Sequence, residues 1–233
     1  NLLTLKPEII VVGSKLALKF IEDQIHVPFK SLEVKSGQYL DLGANPTSGV
    51  NHNIEFISAP NLHWPDTIFS YDHGTNVLYT CDAFGLHYCS DEFFDNDQKE
   101  IYEDFRFYYD CLMAPNARSV LQAIKRIDKL PRLKTIAVGH GPLLHNQVNF
   151  WKEKYSEWSS NKSKGNEFVS VCYISDYGYC DRLSQAISHG ISKADAQVQL
   201  IDLRSSDSQE LTGLISESKA VVIPIVEDQC SPL

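Results

Sequence analysis

The sequence predicts an α/β protein in two parts whose sheets differ in type. In the first part, short extended segments are separated by Gly, Asn and Pro, which is typical of an antiparallel meander. From residue 167 onward, buried-strand runs alternate with helical segments, which indicates parallel βαβ units. The 233 residues exceed the commonest size of one domain, so we expect two domains, over residues 1–160 and 167–233.

The first part opens with a strand followed by a helix. The run "PEIIVVGS" is short and apolar, and "SKLALKFIED" has apolar residues at helical spacing behind Ser14, a predicted N-cap. Four extended segments follow and predict the meander: "KSLEVKSG", "IEFISAP", "DTIFSYD" and "NVLYTCD". Residues 72–76, "DHGTN", form the predicted hairpin turn between the last two.

Helical periodicity returns after the meander. Residues about 97–112 and 115–130 are predicted helices that pack on the sheet, and Pro115 introduces the second of them. One face of that second helix is apolar and carries Val120, Leu121, Ile124 and Ile127. A strand in "LKTIAVGHGP" and a polar helix around 146–160 complete the first part.

A stretch without apolar residues, "SSNKSKGNE", marks the predicted domain boundary. Beyond it, the strands "FVSVCYIS", "AQVQLIDL" and "KAVVIPI" alternate with helices at about 179–192 and 207–218. A doubly wound sheet normally has further strands, and the first part begins abruptly, so we expect an internal piece of a longer protein.

Composition limits the partners. The formal charge is −9 at pH 7, whereas nucleic acids and anionic membrane surfaces need clustered Lys and Arg, so neither is an expected partner. No apolar run approaches the roughly 20 residues of a membrane span, and the first residues do not resemble a signal peptide, which favours a cytoplasmic protein. Cysteine spacing favours free thiols over disulfides or a zinc knot. The cysteines are Cys81, Cys89, Cys111, Cys172, Cys180 and Cys230.

Three polar residues follow extended apolar segments and are candidate metal ligands. They are His63 after "IEFISAPNL", Asp82 after "NVLYTC" and His140 after "KTIAVG". Loops that leave strand ends are common binding positions, and imidazole with carboxylate suits iron or zinc. A bridging carboxylate also suits two metals a few ångström apart.

The motifs "PNLHWPDT", "CDAFG" and "VGHGP" resemble the metal-site motifs of the flavodiiron proteins. The segment "YISDYGYCDRLSQAI" after a buried strand resembles a flavodoxin phosphate loop, and the wording of both parts is similar to cyanobacterial multi-domain diflavin members. The resemblance implies the C-terminal part of a metallo-β-lactamase-like αββα sandwich, followed by the first half of a flavodoxin-like doubly wound parallel sheet.

The resemblance also implies roles for the candidate residues. His63 and His140 would be terminal ligands of two non-haem irons and Asp82 would bridge them, while the remaining family ligands, in an H-x-E-x-D-H motif, would lie upstream of residue 1. His87 is a candidate for lining the same pocket without binding a metal directly. We interpret Asp66 as a loop residue that hydrogen-bonds near Pro65, and His73 as part of the hairpin turn.

For FMN, the physical requirement is a loop after the first parallel strand whose N–H groups and hydroxyls surround a phosphate at a helix N-terminus. Residues of "SDYGYCD" are placed for this role, and the candidates are Ser175, Tyr177, Gly178, Tyr179 and Cys180. Cys180 replaces the usual hydroxyl residue, and Glu227 and Asp228 would place negative charge beside the flavin ring.

The resemblance implies an oxidoreductase that passes electrons from FMN to the di-iron centre and reduces O2 to water, with NO as the other family substrate. It also implies photosynthetic electron flow, with NAD(P)H (through a flavin-reductase domain) or ferredoxin as donor. The expected assembly is a head-to-tail homodimer or a heterodimer with a paralogue. Two alternatives stay open: a zinc hydrolase of the metallo-β-lactamase fold, and a metal-deficient structural subunit of a heterodimer.

Overall fold

The computed structural model describes residues 2–163, 167–174, 179–194, 196–204 and 208–224. Over these ranges the chain forms seven α-helices and ten strands. The helices are α1 (Leu2–Leu5), α2 (Lys15–Ile25), α3 (Gln98–Tyr108), α4 (Ala117–Ile127), α5 (Val148–Ser163), α6 (Tyr179–Lys193) and α7 (Ser208–Glu217). The strands are β1 (Ile10–Gly13), β2 (Lys30–Glu33), β3 (Tyr39–Ala44), β4 (Asn51–Ser58), β5 (Ile68–Asp72), β6 (Val77–Cys81), β7 (Thr135–Val138), β8 (Phe168–Tyr173), β9 (Gln197–Asp202) and β10 (Ala220–Val222).

The predicted strand and helix at the start of the chain are confirmed as β1 and α2. Ser14 is the N-cap, and its side chain accepts a hydrogen bond from the backbone N–H of Ala17 at 3.2 Å. The prediction that "KSLEVKSG" joins the antiparallel meander is wrong, because β2 pairs parallel with β1. A helix between two strands returns the chain to its starting edge, so the strands run in the same direction.

The meander itself is a five-stranded sheet in the order β3-β4-β5-β6-β7. Its first three pairings are antiparallel as predicted, and the β6–β7 pairing is parallel. Strand β3 was not predicted; it is a mostly exposed edge strand, so its sequence lacks a strong apolar signal. At the predicted hairpin turn, the Asp72 carboxylate accepts hydrogen bonds from Gly74 N (2.9 Å) and Thr75 Oγ1 (2.7 Å).

The helices that follow the meander are present where they were predicted, but one differs in character. A π-helical turn (Tyr109–Met113) and a 3-10 turn (Ala114–Asn116) join α3 to α4, and Pro115 lies in the second of these turns. The helix predicted there is present as α5, but the prediction that it is polar is wrong, since α5 buries Trp151, Tyr155 and Trp158. These residues recur at helical spacing on one face, and that face packs against aromatic rings of α3.

The second unit confirms the predicted parallel βαβ pattern. Strand β8 pairs parallel with β10 on one side and with β9 on the other, which gives the order β10-β8-β9. The middle strand, β8, comes first in the chain, then β9 on one side of it and β10 on the other. The first three strands of a flavodoxin-like sheet have this same 2-1-3 order. The predicted domain boundary, residues 159–167, begins within the last turn of α5, and residues 164–166 lie outside the described residues.

The cysteines and the helix lengths were both subjects of prediction from the sequence. Cys81, Cys89, Cys111, Cys172 and Cys180 are free thiols as predicted, and Cys230 lies outside the described residues. None of the helices described here combines the length and the apolar character needed to cross a bilayer.

The start of α5 is held by a carboxylate from a distant loop. Asp95 is 1% exposed and its oxygens accept hydrogen bonds from the backbone N–H groups of residues 145, 146 and 147, at 2.7, 2.8 and 3.1 Å. The indole N–H of Trp151 donates to the same carboxylate at 3.0 Å. These three N–H groups belong to the loop directly before α5, so the buried anion satisfies them and fixes the loop that leads from β7 to α5.

We expect Asp95→Ala to lower the free energy of unfolding by about 2–4 kcal/mol, because it leaves the buried indole N–H of Trp151 and three half-buried backbone N–H groups without their acceptor. Chemical denaturation followed by tryptophan fluorescence measures this change. Asp97→Ala is the matched control, since Asp97 also caps a helix, α3, but is exposed; its expected cost is about 1 kcal/mol. Equal losses for the two variants would contradict the role given to Asp95.

Candidate metal centre

The parallel pairing of β6 and β7 brings two of the candidate ligands together. Parallel strands end at the same edge of a sheet, so the residues that follow them are neighbours. Asp82 follows Cys81, the last residue of β6, and His140 follows β7 by one residue, Gly139. The backbone N–H of Gly139 donates to the carbonyl of Cys81 at 2.6 Å, which joins the two strand ends directly.

Glycine is required on both sides of His140. A Cβ on Gly139 would lie 3.2 Å from the carbonyl oxygen of Cys81 and 3.4 Å from Asp82 Oδ1. Gly141 has a φ of +86°, and a Cβ there would lie 2.5 Å from Leu86 Cδ2. The "GHG" sequence therefore allows the His140 backbone to approach the Asp82 turn closely.

The turn that carries Asp82 is fixed from the aromatic core. Gly85 N donates to the carbonyl of Asp82 at 3.0 Å, and Phe84 N donates to the hydroxyl of Tyr155 at 3.0 Å. The Phe84 ring also stacks on Tyr155, with 4.3 Å between the ring centroids. Helix α5 thus supports the position of Asp82 through Tyr155.

His63 is presented by the loop between β4 and β5. Leu62, directly before it, is buried in the core. Two side chains from other elements hold the ends of this loop: the Ser14 hydroxyl donates to the carbonyl of Asp66 at 3.1 Å, and Arg126 Nη1 donates to the carbonyl of Ser58 at 2.7 Å. These contacts leave the His63 imidazole directed towards Asp82.

The side chains of the two candidate histidines converge on the carboxylate of the third candidate, Asp82. His63 Nε2 lies 3.1 Å from Asp82 Oδ2, and His140 Nε2 lies 3.3 Å from Asp82 Oδ1. The side chains of His63, Asp82 and His140 are 27%, 17% and 50% exposed, so the cluster is open to solvent on the His140 side.

Each imidazole contacts a different oxygen of Asp82, and this arrangement decides what the cluster could hold. Across the ranges that the structure describes, no three or more His, Cys, Asp or Glu side chains are grouped to hold a metal ion. The cluster instead offers one imidazole and one carboxylate oxygen on each side of Asp82. Such a pair of donors on each side is compatible with two ions that share the carboxylate.

Two further side chains border the cluster, and the sequence indicated one of them. The His87 ring lies 5.4 Å from the His140 ring, centroid to centroid, and His87 is exposed. Tyr108 was not predicted; its ring lies 4.9 Å from the His87 ring, and its Cζ would be 3.4 Å from a Cβ on Gly85. "FRFYYD" has two adjacent tyrosines, and its sequence does not show which one faces the cluster.

The Tyr108 hydroxyl has unusual surroundings. Tyr108 is 2% exposed, and its hydroxyl has no hydrogen-bond partner within the described part of the chain. Burial and, after it, the negative charge of Asp82 raise the pKa of Tyr108. Tyr108 is therefore a neutral O–H donor that finds no acceptor among the described residues, and it lies beside His87 and His140.

His73 and Asp66, which we interpreted as ordinary polar loop residues, make hydrogen bonds outside the cluster. His73 is in the hairpin turn, and its Nε2 lies 2.8 Å from Glu55 Oε2. Asp66 accepts the Ser14 hydrogen bond through its backbone carbonyl, and burial raises the pKa of its carboxyl.

The predicted FMN loop is described only at its end. Tyr179 and Cys180 are the first two residues of α6, and Tyr179 is exposed. The other candidates, Ser175, Tyr177 and Gly178, lie outside the described residues, as do Glu227 and Asp228.

Comparisons with known proteins agree over nearly the whole chain. A model of the ODP family beta lactamase matches residues 2–141. Diflavin flavoprotein A 3 of Nostoc sp. is 54% identical over 96% of this chain and 38% of its own length, and diflavin flavoprotein A 1 of Synechocystis sp. is 51% identical over the same shares. The chain thus spans less than two fifths of the length of these curated relatives.

Among solved structures, the metal-soaked Flv1 flavodiiron core of Synechocystis sp. matches with a TM-score of 0.71 and 32% sequence identity. The match covers 95% of this chain and 54% of that one. The predicted metallo-β-lactamase-like fold is confirmed. The chain therefore belongs to the ODP family of beta lactamase-like proteins, and its predicted membership of the flavodiiron proteins is confirmed.

Proposed function

We propose that this chain is part of a flavodiiron oxygen reductase, in which His63, Asp82 and His140 hold two iron ions that receive electrons from FMN. The observation that carries the proposal is the placement of one imidazole against each oxygen of Asp82. A single carboxylate with a different histidine on either side is the donor arrangement that two neighbouring irons need.

The chain's residues would divide the work of holding the irons. His63 would bind one ion and His140 the other, while Asp82 would contribute one oxygen to each. Iron in such a centre takes more than two protein donors per ion, so further donors must reach the site from outside these three residues. When bound, the iron pair would supply electrons to O2, the proposed substrate, which is reduced to water; NO is the alternative substrate.

The flavin part of the proposal is supported by topology. FMN phosphate binding in a flavodoxin-like sheet uses the loop between the first parallel strand and its helix, and here that connection runs from β8 to α6. Ser175, Tyr177, Gly178, Tyr179 and Cys180 would surround the phosphate. A zinc hydrolase of the same fold would have no use for such a unit, so the parallel sheet favours the electron-transfer function.

Tyr108 and His87 would act on protons rather than on the metal. Reduction of O2 to water consumes protons, and the buried Tyr108 hydroxyl carries a proton that no acceptor among the described residues binds. His87 lies beside both Tyr108 and His140 and is exposed, so it would connect this hydroxyl to solvent.

The proposal extends to partners only through the family. The electron donor would be NAD(P)H, acting through a flavin-reductase domain, or ferredoxin, and the assembly would be a head-to-tail homodimer or a heterodimer with a paralogue. A metal-deficient structural subunit is the alternative, and metal analysis separates it from the oxygen reductase.

Metal binding tests the roles of the three ligands. We expect anaerobic titration with Co²⁺, monitored by its visible absorption, to show binding that Asp82→Ala weakens at least about tenfold, because Asp82 would serve both ions. His63→Ala and His140→Ala each remove the donor to one ion, so each variant is expected to reduce the bound cobalt per chain.

His52→Ala is the matched control for these variants. His52 also contacts a carboxylate, with Nδ1 2.7 Å from Asp72 Oδ2, but it lies in β4 and its partner lies at the hairpin turn. Cobalt binding that His52→Ala weakens as much as Asp82→Ala would contradict the proposed centre. Wild-type protein that carries this chain with the further iron donors and still takes up no cobalt would favour the structural-subunit alternative.

The Tyr108 hydroxyl gives a prediction in which stability and activity change in opposite directions. Tyr108→Phe removes a buried hydroxyl that has no partner in the described ranges, so we expect the free energy of unfolding to rise by about 1 kcal/mol. O2 consumption by the flavin- and iron-loaded protein should fall at least about tenfold if the hydroxyl donates a proton. Unchanged O2 consumption would remove Tyr108 from the proposed proton path.

A further inference from the structure

One buried side chain joins the loop that carries His63 to the second unit. Asn61 is 4% exposed, and its Nδ2 donates a hydrogen bond to the carbonyl of Leu200 in β9, at 3.1 Å and 139 positions along the chain. Because a backbone carbonyl can only accept, the NH2 end of the Asn61 amide must face it. Asn61 has a φ of +65°, a conformation that asparagine adopts more readily than most residues.

Strand β9 needs hydrogen-bond donors from outside its own sheet. It is the end strand in the order β10-β8-β9, so the outer side of its backbone faces away from β8. Buried carbonyl groups on such an edge must find donors outside their own sheet. The Asn61 amide supplies one of these donors, and it comes from the other unit.

Three other described side-chain contacts at this junction start from a different element. The guanidinium of Arg118 lies 3.8 Å from the centroid of the Phe168 ring, and its Nη1 lies 3.3 Å from Glu217 Oε2. Gln199 Nε2 donates to Ser119 Oγ at 3.3 Å. Arg118 and Ser119 belong to α4, so these contacts attach the second unit without involving the His63 loop.

Asn61 also fixes the turn in which His63 stands. Its backbone N–H donates to the carbonyl of Trp64 at 2.9 Å, so Asn61 and Trp64 close a turn around residues 62 and 63. Thr67 N and Thr67 Oγ1 donate to the same carbonyl, at 3.2 and 2.8 Å. Asn61 thus anchors one end of this turn through its side chain and closes the turn through its backbone.

We propose that Asn61 is a positioning residue, whose hydrogen bond to β9 sets the place of His63 and so couples the second unit to the metal centre. The role assigned to His63 rests on the proposed function, whereas the contact between Asn61 and Leu200 does not. When β9 docks against Asn61, the same contact orders the loop that carries His63. His63, the proposed iron ligand, is therefore in place when the proposed flavin unit is docked.

Two substitutions at Asn61 remove the bond in different ways. Asn61→Gly deletes the side chain and tolerates the positive φ, so the backbone is not strained. Asn61→Asp keeps the size and tolerates the same backbone conformation but has no N–H to donate, and it places a carboxylate against a carbonyl. Gln199→Ala is the matched control, because it removes a different described side-chain hydrogen bond across the junction and leaves the loop untouched.

Amide hydrogen exchange is the first measurement. In the wild-type chain the N–H groups of Asn61 and Thr67 are protected by the Trp64 carbonyl. Both Asn61 variants should exchange these amides roughly fivefold to tenfold faster, the effect of one lost hydrogen bond, while Gln199→Ala changes them less than about twofold. Equal rates in all variants, or equal acceleration by Gln199→Ala, would overturn the proposal.

Two-dimensional NMR of the imidazole groups and Co²⁺ titration complete the test. Both Asn61 variants should shift the His63 ring resonances and weaken cobalt binding at least about threefold, with His73 unshifted. Exchange and NMR changes in a protein that carries this chain together with the further iron donors, yet binds no cobalt, would support the coupling and refute the proposed function. Cobalt binding that Asn61→Gly leaves unchanged would refute the coupling and keep the proposed function.

Discussion

The parallel pairing of β6 and β7 is the constraint on which the candidate site depends. It places the ends of two strands, distant in sequence, at one edge of the sheet, so that Asp82 and His140 are neighbours before any metal is considered. In an antiparallel pairing, the residue after β7 would stand at the opposite edge. Gly139 and Gly141 then let the His140 backbone approach the Asp82 turn. His63 comes from a third loop, held by contacts to Ser14 and Arg126.

Much of this arrangement could be predicted from the sequence, because each motif ends a recognisable apolar strand. Strand–helix order, the hairpin at 72–76 and the parallel second unit all depend on local patterns of apolar and turn residues. Pairing between strands is not local, and for that reason β2 was assigned to the wrong sheet. The buried face of α5 was missed because Trp151, Tyr155 and Trp158 are separated by Lys, Glu and Ser, which give the segment a polar average.

Residues that act through tertiary contacts escaped sequence reasoning. Tyr108 and Tyr109 are adjacent and chemically identical, yet Tyr108 lies beside the histidines while the Tyr109 hydroxyl bonds to Ser159 in α5. The π-helical turn that begins at Tyr109 follows α3 directly, and the sequence gives no sign of it. Asn61 has its partner 139 positions away, and no pattern around it indicates that contact.

The central claim is that Asp82 is shared by two metal ions, each with its own histidine. X-ray diffraction from crystals grown with ferrous iron under anaerobic conditions, recorded at the iron absorption edge, locates the ions directly through their anomalous scattering. The account predicts two anomalous peaks, one between His63 and Asp82 and the other between His140 and Asp82. A single peak shared by both histidines, or peaks that lie away from Asp82, would contradict it.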